Sequence, residues 1–139
     1  MRHAYRFVVV AVAALALSAC SDEDEFEAEM NGASERPTPV NTQATGNAVV
    51  KIEDTSVTVT GDFEGLSGPA VAAHIHGPAD KETAAPVLCP LTATAAVAGT
   101  LSGSCSFSEE QLQQLRDGRM YVNVHTQQFP QGEIRGQLE

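Results

Sequence analysis

The stretch MYVNVHTQQFPQGEIRGQL, residues 120–138, carries the pattern that decides the fold. Met120, Val122 and Val124 alternate with Tyr121, Asn123 and His125. After a short Gln-Phe-Pro-Gln-Gly link, Ile134 and Leu138 alternate with Glu133, Arg135 and Gln137. Period-two alternation puts successive side chains on opposite faces of a strand. Two strands joined this closely are expected to pair. One face is apolar; the other carries an imidazole, a carboxylate, a guanidinium and two amides.

Working outward, the same period recurs. Phe26, Ala28 and Met30 alternate with Glu27 and Glu29. Ala48, Val50 and Ile52 alternate with Val49, Lys51 and Glu53, and Val57 and Val59 with Thr58 and Thr60. Ala73 and Ile75 alternate with His74 and His76. Val87–Leu91 and Gly99–Phe107 give two more strands. Residues 34–43 contain Pro37 and Pro39 and read as a loop. One segment breaks the pattern. Ser108 can cap a helix with Gln111 three residues on, Leu112 and Leu115 share a face, and Gly118 ends it. The reading is an all-β, antiparallel, immunoglobulin-like or Greek-key β-sandwich with one short helix over about residues 109–116.

The N-terminus reads differently. Arg2, His3 and Arg6 precede an apolar run from Phe7 to Leu17, too short to span a bilayer, which needs about 20 such residues. Leu17-Ser18-Ala19-Cys20 then resembles a bacterial lipobox. Residues 1–19 are expected to be a signal peptide. Cys20 is expected to carry lipid, followed by an acidic tether over residues 20–25, with the domain over 26–139. By resemblance to the bacterial sorting pattern, Ser21 after the Cys implies the outer membrane, facing the periplasm or cell surface.

The whole chain has 139 residues, 8 Lys plus Arg, 18 Asp plus Glu and a net charge of −10. One modest domain fits that length. So acidic a chain is a poor nucleic-acid ligand, because phosphate affinity needs clustered cations. Membrane contact is expected through the N-terminal lipid alone. In an exported protein Cys89 and Cys105 are expected to form a disulfide; a pair of metal-binding thiolates is the alternative.

Period two places His74 and His76 on one face and His125 on the polar face of its own strand, and these polar faces are expected to meet solvent. Three readings follow for this surface. Three imidazoles, with Glu133 or water at an open position, could ligate Cu or Zn. Tyr121, Asn123, Arg135 and Gln137 could instead complete a polar ladder that fixes register. The face could also contact a protein or carbohydrate partner. No Gly-x-Ser-x-Gly elbow or phosphate-binding glycine loop is present. That favours a non-enzymatic binding or structural module over an enzyme.

The segments AHIHGPA (73–79) and YVNVHTQQFPQGEIRGQL (121–138) resemble the paired signatures of the CHRD domain, first named from chordin. The match rests on His74, His76, Tyr121, Asn123, His125, Gly132, Glu133, Arg135 and Gly136. The resemblance implies an immunoglobulin-like sandwich and a secreted or lipid-anchored protein, and it supplies no catalytic mechanism. The His-x-His strand is also similar to that of Cu/Zn superoxide dismutase. Three histidines beyond the signal segment are too few for that enzyme's two-metal site.

Overall fold

A computed structural model describes residues 24–139. The expected signal segment and Cys20 lie outside the described residues. Eight strands and one helix follow in order: β1 (Glu25–Asn31), β2 (Thr45–Glu53), β3 (Ser56–Glu64), β4 (Ala70–His76), β5 (Val87–Ala93), β6 (Gly99–Ser106), α1 (Glu109–Arg116), β7 (Tyr121–Thr126) and β8 (Ile134–Gln137). Every strand pairing is antiparallel. The end of the acidic run is part of the domain: the Asp24 carboxylate accepts from Arg116 Nε at 2.7 Å, and the Asp24 carbonyl accepts from Ile52 N.

The strand order is β1-β2-β3-β6-β5-β4-β7-β8, and the sheet closes into a barrel. Strands β4, β5 and β6 form a meander, and β3 and β7 return by longer connections to its two edges, which is Greek-key connectivity. Closure corrects the expected sandwich. Long ladders bind β1-β2-β3-β6, with seven, nine and eight paired positions. Shorter ladders bind β5-β4-β7-β8. Two thin seams join these halves. β5 meets β6 at only two positions, and β1 meets β8 at Asn31–Arg135, extended by the reciprocal backbone bonds of Glu27 and Glu139. Such seams distinguish a barrel from a sandwich, and a few backbone bonds leave no trace in side-chain alternation.

The Cys89–Cys105 disulfide reinforces one seam. The ladder runs Ala93–Leu101 and Thr92–Ser102; continuing that register sets Cys89 opposite Cys105, with Cα atoms 6.0 Å apart. Covalent linkage takes over where the hydrogen bonds stop.

The interior is filled by the apolar alternates, among them Met30, Val50, Val57, Ile75, Leu101, Val122, Val124 and Ile134. Helix α1 adds Leu112 and Leu115 to this core, beside Phe107 and Met120. Its capping box is complete: Gln111 N donates to Ser108 Oγ, and Ser108 N donates to Gln111 Oε1.

Candidate metal centre

The tertiary fold makes β4 and β7 neighbours. Their register sets His74 opposite Asn123, His76 opposite Tyr121, and Ala72 opposite His125. The His-x-His strand therefore meets the third histidine across one ladder. All three side chains lie on the outer face, as the alternation requires.

That face is not wet, which corrects the expectation of a solvent-facing surface. Tyr121, Asn123, His125, Glu133 and Arg135 are all buried. The loop over residues 77–86 folds across the strands and offers them its backbone. Arg135 donates to the carbonyls of Thr83 and Asp80, and Gln137 Nε2 to that of Ala79. Ala85 N donates to the Tyr121 hydroxyl, and the Ala85 carbonyl accepts from His76 Nδ1 at 2.8 Å. The buried polar groups thus find partners in a loop rather than in water, as burial demands. Tyr121 sits between two groups: His76 from β4 stacks parallel to its ring at 4.9 Å, and the Arg135 guanidinium from β8 lies 3.6 Å from the ring centre.

Within this layer the imidazoles converge. One nitrogen from each of His74, His76 and His125 lies within 4.8 Å of the others. His74 Nδ1 and His125 Nε2 are 3.0 Å apart. The carbonyls fix the tautomers: His125 Nδ1 donates to Pro130 O at 3.1 Å, as His76 Nδ1 does to Ala85 O. Both rings therefore turn a bare Nε2 lone pair inward, the arrangement in which an outer partner orients a metal-ligating histidine. The lone pair of His125 meets His74. That of His76 is buried and has no partner.

Burial lowers the pKa of all three histidines. His76 pushes that of His74 down further. For His76 the hydrogen bond to Ala85 partly opposes burial. His125 is driven to about 4 by burial, with the other two imidazoles adding to the effect and Pro130 opposing it. The cluster is neutral at pH 7, the state that ligates metal. His74 is half-buried and gives the cluster its route to solvent.

Glu133 does not join this cluster. Its carboxylate accepts from Ser67 N at 2.8 Å, Ser67 Oγ at 2.7 Å, Thr126 Oγ1 at 2.8 Å and Thr42 Oγ1 at 2.9 Å. Burial alone would raise its pKa, but these four donors outweigh burial and hold it below the usual carboxylate value. Its role is to tie the segments around Thr42 and Ser67 to the β7–β8 hairpin. Sequence reading could not separate the two fates, because three of the four donors belong to Ser67 and Thr42 in distant loops, and only Thr126, at the end of β7, is near in sequence.

Glu35 was not foreseen at all. It follows a single turn of 3-10 helix (Gly32–Ser34) in the proline-bearing loop, yet it is 3% exposed. Burial pushes its pKa up to about 7, against the pull of Arg135. No signal beyond one acid in a loop marked it.

No curated protein and no solved structure matches this chain. The family model for the CHRD domain matches residues 26–138, which takes in all eight strands but for the first residue of β1, together with the loops that cover the histidine face. On that match, the chain belongs to the CHRD domain family.

Proposed function

We propose that this CHRD domain is a non-enzymatic module that holds one Zn or Cu ion on His74, His76 and His125, and that a lipid on Cys20 anchors it outside the cytoplasm. The observation that carries the metal reading is the buried, unpartnered Nε2 of His76 beside the His74–His125 pair. An orphaned buried acceptor costs about 1–3 kcal/mol, and a cation shared by three neutral imidazoles removes that cost. Tetrahedral Zn with Zn–N bonds of about 2.0–2.1 Å sets ligand nitrogens roughly 3.4 Å apart. One pair is already closer than that, and modest ring rotation brings in the third. Binding requires the His74 proton to leave Nδ1 for Nε2, a tautomer shift open to a half-buried ring.

The test is titration calorimetry of untagged protein with Zn(II) and Cu(II), on wild type and His76→Ala. One site tighter than about 10 μM, roughly −6.8 kcal/mol, is expected, weakened at least tenfold by the substitution. Absence of such a site in wild type would reject the reading. Because burial keeps the imidazoles neutral below their ordinary range, affinity should persist somewhat below pH 6 and collapse toward pH 4.

A second reading has its own observation. A polar cleft of about 540 Å³ runs beside the loop, lined by Glu27, Glu29, Arg36, Lys81 and Arg135 among others. A carbohydrate or peptide partner would seat there, and a glycan array would find it. For the anchor, Cys20→Ser should move the protein from membrane to soluble fractions; unchanged fractionation would reject lipidation.

A further inference from the structure

Three imidazoles can hold several metals, and the charges around these three choose among them. The donor atoms of the cluster come from His74, His76 and His125 alone. A ligating imidazole is neutral, so the set brings no negative charge to an ion. Glu133 supplies none either, because Ser67, Thr126 and Thr42 engage both of its oxygens.

Among the described residues no acid acts on the imidazoles. After burial, which lowers the pKa of all three, the only charged groups acting on them are one another and Arg135, whose cation pushes that of His76 down. Arg135 is fixed close by. Its guanidinium lies 3.6 Å from the centre of the Tyr121 ring, and His76 stacks on that ring at 4.9 Å. Glu35 and Asp80 act on Arg135 but not on the histidines. The chain's surplus acids stand mostly in water, where solvent and salt screen them.

The cost of taking an ion out of water grows with the square of its charge. A dication pays about four times what a monocation of the same size pays. Neutral donors beside a buried guanidinium return none of that as ion pairing. Coordination number points the same way. Zn(II) takes four ligands, and the cluster offers three. Cu(I) is complete with two or three nitrogens, and imidazole suits copper.

Resting on the metal reading, we propose that the three-histidine site selects the monovalent ion Cu(I) over Zn(II) and Cu(II), with Arg135 setting that preference from across Tyr121. His74 Nδ1 and His125 Nε2, 3.0 Å apart, are the closest pair of donors, and His76 is the third.

Anaerobic competition on untagged protein tests the selectivity, with Cu(I) set against bicinchoninate and each dication against a chelator of known affinity. Cu(I) should bind at least a hundredfold more tightly than either dication. Bound copper should then show a reduction potential about 120 mV or more above that of hydrated copper, at about 59 mV per tenfold. Zn(II) or Cu(II) held as tightly as Cu(I) overturns the proposal and leaves the metal centre standing. Binding of none of the three rejects the metal reading and the proposal with it. An added charge tests the cause. Ala72 is half-buried, shares the face of His74 and pairs with His125. Ala72→Asp should raise Zn(II) affinity at least tenfold, with a smaller change for Cu(I). Should that variant not fold, Asn123→Asp, opposite His74, brings the same charge to the site. An unchanged ratio of Cu(I) to Zn(II) affinity in the variant that folds overturns the electrostatic origin.

Discussion

Strands β2 and β7 have the same kind of alternation and opposite surroundings. In β2 the alternate side chains Asn47, Lys51 and Glu53 stand in water while Ala48, Val50 and Ile52 fill the barrel. In β7 every residue is buried, the polar Asn123, His125 and Thr126 included. The difference is the loop over residues 77–86, with help from the segments around Glu35 and Pro130. These lay a second, polar core over the outer face of β4, β7 and β8. A polar group that would be indifferent on β2 becomes structural or functional on β7, because burial leaves it dependent on a designated partner.

The largest test of this contrast compares two acids. Glu133→Ala strands the donors of Ser67, Thr126 and Thr42 in or near the polar core, and should cost about 4 kcal/mol. Glu53→Ala on the wet face should stay within about 0.5 kcal/mol. Urea midpoints at constant m-value measure both, and equal losses would deny the two-core picture.

Next in size is the thin β5–β6 seam. Reducing Cys89–Cys105, or replacing both with Ser, should cost about 3 kcal/mol, given a closed loop of roughly 15 residues. Thermal melts with and without reductant report it. The long β2–β3 ladder should show later loss of amide protection than β5 in the reduced protein.

The polar core should also hold two opposed pH dependences. Glu35 has a folded pKa of about 7, above its ordinary 4.5. Its contribution is present below about pH 4.5 and is lost as pH rises through 7. His125 is the reverse, with a folded value of about 4 against 6.5. Its contribution is present above pH 6.5 and is lost as pH falls toward 4. The two windows overlap between about pH 4.5 and 6.5, where the slopes are opposite and offset, so the pair should leave stability nearly flat there. Glu35→Gln should unmask the His125 slope, with stability falling by on the order of 3 kcal/mol as pH drops from 6.5 to 4. Urea midpoints from pH 4 to 9 on wild type and variant check it, and equal profiles would deny the offset.

The smallest effect belongs to the solvated side of α1. Ser108→Ala removes one half of the capping box and should cost about 1 kcal/mol, seen as a lowered melting temperature. Loss of several kcal/mol there would mean that the helix end depends on more than its cap.

Local chemistry settled what alternation and capping can express. The eight strands are written in period two, and α1 in Ser108, Gln111, Leu112 and Leu115. The joint placement of His74 and His76 on one face follows from spacing alone. None of these needs knowledge of a distant residue. Closure into a barrel, the pairing of β4 with β7, the burial of the histidine face, the capture of Glu133 by Ser67, Thr42 and Thr126, and the recruitment of Glu35 were decided only in three dimensions. Each draws in part on segments 40 or more positions apart, such as Ser67 and Thr42 with Glu133, Thr83 with Arg135, and β4 with β7. A strand's own pattern fixes which way a side chain points, whereas what it meets there is supplied by another part of the chain.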